Sequence, residues 1–144
     1  MNFEHDGLHD SLTRLAAPPY FYESLRREIA IANRSGAEIT AIRLILESNA
    51  PVYLSTIVSL ADLITNSFRY EDVKARLGNL EFAIFIQDKK SLAVQICQRL
   101  VARWAIEGTP DSSIAYSVTQ YIPSEEPVAF LNRLDEEELI RSNF

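Results

Sequence analysis

Cysteine is almost missing from this chain of 144 residues: Cys97 stands alone, which excludes an internal disulfide framework and fits a reducing compartment. Its neighbours Leu92, Ala93, Ile96 and Leu100 place it on an apolar helix face, where a thiol behaves as a small hydrophobe. Excess basic charge is missing as well. Against 14 Lys and Arg stand 20 Asp and Glu, giving a net charge of −6, which argues against a nucleic-acid partner held through its phosphates. No apolar run approaches the roughly 18–20 residues of a membrane span. The opening MNFEHDGLHD is acidic and lacks the charged-then-apolar pattern of a secretory leader, so a cytoplasmic location is expected. There is no G-x-S-x-G, no G-x-x-x-x-G-K-[ST] and no Cys/His ligand set. Low-complexity stretches, internal repeats and long linkers are absent too, which points to a single domain over residues 1–144. A chain of this length can bury a core without disulfides or a metal.

What is present is periodicity. After Pro18-Pro19, Phe21, Leu25, Ile29 and Ala32 recur at helical spacing, predicting a helix over 20–33 that stops at Ser35-Gly36. Residues 39–46 read as a strand with Ile39, Ala41 and Ile45 on one side and Leu44 and Leu46 on the other, hence covered on part of both faces. A second helix follows Asn49-Ala50-Pro51 and runs to about residue 66, with Leu54, Ile57, Val58, Ala61 and Ile64 as its apolar set. Val73, Ala75 and Leu77 alternate with Lys74 and Arg76, and a strongly apolar strand returns over 80–86. Gly78-Asn79, tolerant of positive φ, is expected to turn this hairpin. A third helix, with Asp88 or Ser91 as its N-cap, reaches Glu107 and breaks at Gly108-Thr109-Pro110. Residues 113–122 read as a strand, and a last helix beyond Pro127 carries Val128, Leu131, Leu134 and Leu139. Strand, helix, strand, strand, helix, strand is the ferredoxin-like βαββαβ order: an α+β fold with an antiparallel sheet, helices on one face, and additional N- and C-terminal helices.

Three stretches resemble GGDEF domains, the diguanylate-cyclase-like family. Asp10-Ser11-Leu12-Thr13-Arg14-Leu15, followed by Tyr20-Phe21, is similar to D-x-L-T-G-L-x-N-R-x-x-F without a gap. The run from Arg69 through Phe82 resembles R-x-x-D-x-x-A-R-x-G-G-D-E-F, and this block is specific. Ser117-Val118-Thr119 and Leu134-Asp135 echo the family's S-x-G strand and A-D-x-A-L-Y helix more faintly.

The departures carry the functional expectation. The signature turn G-G-[DE]-E-F reads Gly78-Asn79-Leu80-Glu81-Phe82, so Leu80 stands where the resemblance implies a metal-binding carboxylate. Asn79 stands where a second Gly lets a nucleotide approach the backbone. Counting along the first core strand puts Ile45 and Glu47 at the two Asp of the family's D-x-D-x-F-K, with no F-K or N-D equivalent after them. Condensing GTP needs metal ions on phosphate oxygens, and Mg²⁺ needs hard oxygen ligands. The resemblance therefore implies no catalytic residues, no metal and no cofactor. The expected function is binding of a protein partner or self-association. Arg69 and Asp72 match the R-x-x-D site through which relatives bind cyclic di-GMP, five residues before the signature, and that ligand is a candidate here. Two alternatives stand beside this reading: residual GTP binding or cyclase activity, and a purely structural dimerisation domain.

Other residues receive plainer readings. Glu81 is expected to be structural, since its partner carboxylates are gone. His5 and His9, among Glu4, Asp6 and Asp10, read as a solvated tail in preference to a metal site. Asp135-Glu136-Glu137-Glu138 reads as the wet side of a helix, and Trp104, Tyr116 and Tyr121 as core or rim aromatics.

Overall fold

In a computed structural model, which describes residues 4–141, the chain forms α1 (Pro18–Ser35), β1 (Thr40–Ser48), α2 (Leu54–Ser67), β2 (Val73–Arg76), β3 (Glu81–Ile86), α3 (Lys90–Glu107), β4 (Ser112–Gln120), α4 (Pro127–Glu136) and β5 (Ile140–Arg141). The strands make one sheet in the order β2-β3-β1-β4-β5, and every neighbouring pair is antiparallel. This is the expected ferredoxin-like α+β core. Among the described residues, no helix is long and apolar enough to cross a membrane.

Alternation along the central strand divides the core in two. Ile42, Leu44 and Leu46 join Phe82, Ile84 and Ile86 of β3 on a first face, packed under Ile57, Leu60 and Ile64 of α2 and Cys97 and Leu100 of α3. Ile39 and Ala41 join Ala83 and Phe85 on a second face, under Phe21, Leu25 and Ile29 of α1 and Phe130 and Leu134 of α4. The period of two residues in a strand produces this division. The terminal helices thus cover the side of the sheet that the βαββαβ helices leave open. Each fully buried Phe or Leu contributes about 1.5–3 kcal/mol.

Local chemistry sets the boundaries. Two prolines open α1, where the missing N–H has no intrahelical partner anyway, and Gly36 closes it at φ 76° with its N–H on the Ala32 carbonyl. Gly108 closes α3 for a different reason: a Cβ there would lie 2.4 Å from the Trp104 ring. That indole is buried, and its Nε1–H donates to Ser112 Oγ at 3.0 Å. Cys97 is buried, and desolvation pushes its thiol up to about 12.

Several expectations needed correction. The N-cap of α3 is Lys89, without a side-chain cap; the Asp88 carboxylate accepts the Lys89 N–H instead, and Ser91 lies within the helix. Neither Gly78 nor Asn79 adopts positive φ, because the turn is wider than a two-residue hairpin: the N–H groups of Leu77 and Gly78 both donate to the Glu81 carbonyl. Helix α4 ends at Glu136, before Leu139, and buries Phe130 and Leu134 while Val128 is exposed. The residues beyond it turn back as β5 against β4. Nor is the N-terminal segment a loose tail. Bridges His5 to Asp10 and His9 to Ala16 fold it on itself, and Ala16 pairs with Ala75, sealing the free edge of β2.

Candidate ligand sites

The turn between β2 and β3 is held from below by a buried ion pair that joins the motif containing Asp10 to the motif containing Arg76. Arg76 Nη1 donates to both Asp10 oxygens at 3.1 and 3.2 Å, and both side chains have no exposed surface. Asp10 also accepts from the Thr13 N–H and hydroxyl, and Arg76 Nη2 donates to the Asn79 carbonyl and side-chain oxygen at 3.0 and 3.1 Å. The Asn79 side chain therefore closes the turn onto the Arg76 guanidinium. The signal for this pair is Arg76, bracketed by Ala75 and Leu77 where a charge is rarely tolerated unless paired; Asp10, between His9 and Ser11, gives none.

The positions that the family motif assigns to metal binding do not meet. Leu80 packs against the first-face cluster, and its carbonyl accepts the Leu46 N–H at 2.9 Å. Ile45, the residue that counting placed beside it, is directly opposite Glu81 and belongs to the other face. The strand residue sharing Leu80's cluster is Leu46, one position later, because a one-residue shift in register exchanges faces. Both residues are aliphatic.

The carboxylates that remain are each held by an arginine. Glu81 accepts from Arg43 Nε at 3.3 Å. Glu47 accepts from Arg141 Nε and Nη2, each at 2.9 Å, and this charge-assisted pair holds its carboxyl below the usual range. Among the described residues, no group of three His, Cys, Asp or Glu side chains is arranged to hold a metal ion.

Arg69 and Asp72 do come together, at the approach to β2. Asp72 is buried and spends one oxygen on the Arg69 backbone N–H at 2.8 Å, with Arg69 Nε 3.5 Å from the same atom. The half-exposed guanidinium also lies 3.9 Å from Glu71 and 3.7 Å from Asp88. Lys74 Nζ donates to the Arg69 carbonyl, and burial lowers the Lys74 pKa more than Asp72 and Glu71 restore it. A shallow cavity of about 210 Å³ opens beside this group, with Glu28 and Gln87 on its far side. The site pairs one arginine with three surrounding acids.

No protein-family model matches the sequence, and no curated protein matches it. Solved structures do match. The GGDEF domain of DgcB from Caulobacter crescentus, solved in complex with c-di-GMP, is 18% identical, with a TM-score of 0.82 over 92% of this chain and 86% of that one. The GGDEF domain of YfiN (TpbB) from Pseudomonas aeruginosa is 24% identical, with a TM-score of 0.77 over 88% of this chain and 84% of that one. The diguanylate cyclase SiaD from the same organism, solved with its activator SiaC, is 20% identical, with a TM-score of 0.80 over 90% of this chain and 55% of that one. In fold, this chain is a GGDEF-like domain.

Proposed function

We propose that this chain is a GGDEF-fold signalling module without cyclase activity, which works by binding a protein partner or a second copy of itself. The observation that carries this reading is Leu80, packed against the first-face core with Leu46 at the turn position where the motif calls for a carboxylate. Alkyl groups offer Mg²⁺ no ligand, and without the metal the triphosphate of GTP has no counter-charge at the turn. Glu81 and Glu47 are engaged by Arg43 and Arg141, so a metal would have to displace an ion pair to reach either. That the related fold in SiaD is solved with a protein activator supports a protein partner. A thermal-shift panel with GTP, GDP and cyclic di-GMP, each with and without Mg²⁺, tests the reading. No shift is expected with GTP or GDP; a Mg²⁺-dependent shift with GTP would overturn it.

A second reading rests on Arg69. Its half-exposed guanidinium beside a cavity fits a cyclic di-GMP receptor, since an arginine fork can take a phosphate or a guanine edge. The weak, long contacts to Glu71 and Asp88 would have to yield to the ligand. Arg69→Ala would then weaken cyclic di-GMP binding by about one to two orders of magnitude in calorimetry. Equal affinity in both proteins would remove this reading and leave the protein-interaction reading alone.

A further inference from the structure

A cavity of about 340 Å³ opens on the second face of the sheet, between α1 and α4, and neither reading above uses it. Its floor is unusual for a sheet face covered by helices. β1 is the middle strand of five, yet it presents Arg43 there, with only 22% of the side chain exposed. Of the guanidinium, Nε alone is used, donating to Glu81; the two terminal nitrogens make no hydrogen bond among the described residues. Replacing a buried ion pair by apolar residues of the same size is often neutral or stabilising, so folding alone gives little reason for this pair.

The walls add unpaired polar groups. Asn132 and Asp135 of α4 and the Tyr22 hydroxyl of α1 line the cavity, and none makes a hydrogen bond among the described residues. Burial pushes the Tyr22 phenol up, and the charges of Asp135 and Glu81, which line the same cavity, push it further. Leu77 and Leu131 supply apolar wall between these groups. A concave site with mainly apolar walls and a few convergent polar groups is the usual form of a small-molecule site, and its size sits at the lower end of the range of about 300–1,000 Å³.

We propose that this cavity binds a small zwitterion of amino-acid size. The free fork of Arg43 takes the carboxylate, which matches its planar pair of donors. Glu81 takes the α-ammonium, Leu77 and Leu131 flank the aliphatic part of the side chain, and Asp135 takes a cationic end. With Arg43 set against Glu81 and Asp135, the site carries one net negative charge. A basic amino acid balances it, so L-arginine and L-lysine rank above L-leucine. The proposal is separate from the Arg69 site: both cavities open on the α1 side of the sheet, but they share no lining residue.

Calorimetric titration of the full chain with L-arginine, L-lysine, L-leucine and agmatine, which lacks the carboxylate, tests it. L-arginine is expected to bind saturably, and agmatine roughly tenfold or more weakly. Arg43→Met is expected to lose L-arginine by a similar factor while circular dichroism and melting show it folded. Asp135→Asn on the accessible rim should weaken L-arginine more than L-leucine. Absence of binding by all three amino acids, agmatine binding as tightly as L-arginine, or equal affinity in wild type and Arg43→Met would each overturn the proposal. If Arg43→Met does not fold, the agmatine comparison and Asp135→Asn decide the question in its place.

Discussion

Along β1 the two faces of the sheet differ at every step. Ile42, Leu44 and Leu46 point into a densely filled apolar cluster with α2 and α3, while Arg43, between them, points the other way over a cavity bounded by α1 and α4. The first face is filled by large side chains from three strands, whereas the second is floored with Ala41, Ala75, Ala83, Ala115 and Ser117, leaving space above the sheet. A cluster of interdigitated Leu and Ile supports the fold and leaves little room for chemistry. The second face has a core of its own around Phe21, Leu25, Phe85 and Phe130, but over Arg43 it is left unfilled, with donors and acceptors unused. Over the middle of β1, the first face accordingly serves packing alone, and the second leaves room to bind.

Substitutions can sharpen or break that contrast. The largest effect is expected at the buried ion pair under the turn. Asp10→Ala removes the carboxylate from beside the fully buried Arg76 and should cost about 3–5 kcal/mol in urea denaturation. Leu44→Ala, on the first face, should cost about 2–5 kcal/mol by the same measurement, since the residue is fully buried on the central strand opposite Phe82 and Tyr116. On the second face, the double replacement Arg43→Met with Glu81→Gln should change stability by no more than about 1 kcal/mol. A cost equal to that of Leu44→Ala would erase the distinction between the faces.

The smallest expected effect concerns the closing of α4. Glu125 accepts from Arg133 Nε and Nη2 at 2.6 and 2.7 Å, and these bonds hold its carboxyl below the usual range. A carboxyl whose folded pKa is depressed contributes stability above its unfolded pKa, here near 4.5, and loses it as pH falls through the lower folded value. In Glu125→Gln the drop in urea midpoint between pH 6 and pH 3 should be smaller than in wild type. The difference should stay within about 1 kcal/mol because Arg133 is a third exposed.

Much of this architecture was legible in the chain because the information was local. Helices α1, α2 and α3, the β2–β3 hairpin and the long strands follow from spacing of apolar residues and from the Pro and Gly at their ends. The strand β5 was not legible, since two exposed residues, Ile140 and Arg141, carry no period. The pairing of Asp10 with Arg76 was hidden because the partners are 66 residues apart, although both were visible in motifs. Counting from a turn placed Ile45 at the metal position, while the register placed Leu46 beside Leu80; sequence alone does not fix a register to one residue. Arg43 gave no signal at all, because an arginine in a strand looks solvent-facing until helices are seen to cover that side.

The central claim is that Leu80 and Leu46 leave the turn without a metal site. Incubating the chain with GTP and either Mg²⁺ or Mn²⁺, and separating the nucleotides by chromatography, tests it most directly. The account predicts no cyclic di-GMP above a control without protein. Clear turnover that disappears in Glu81→Ala would contradict it and show that the remaining carboxylates suffice.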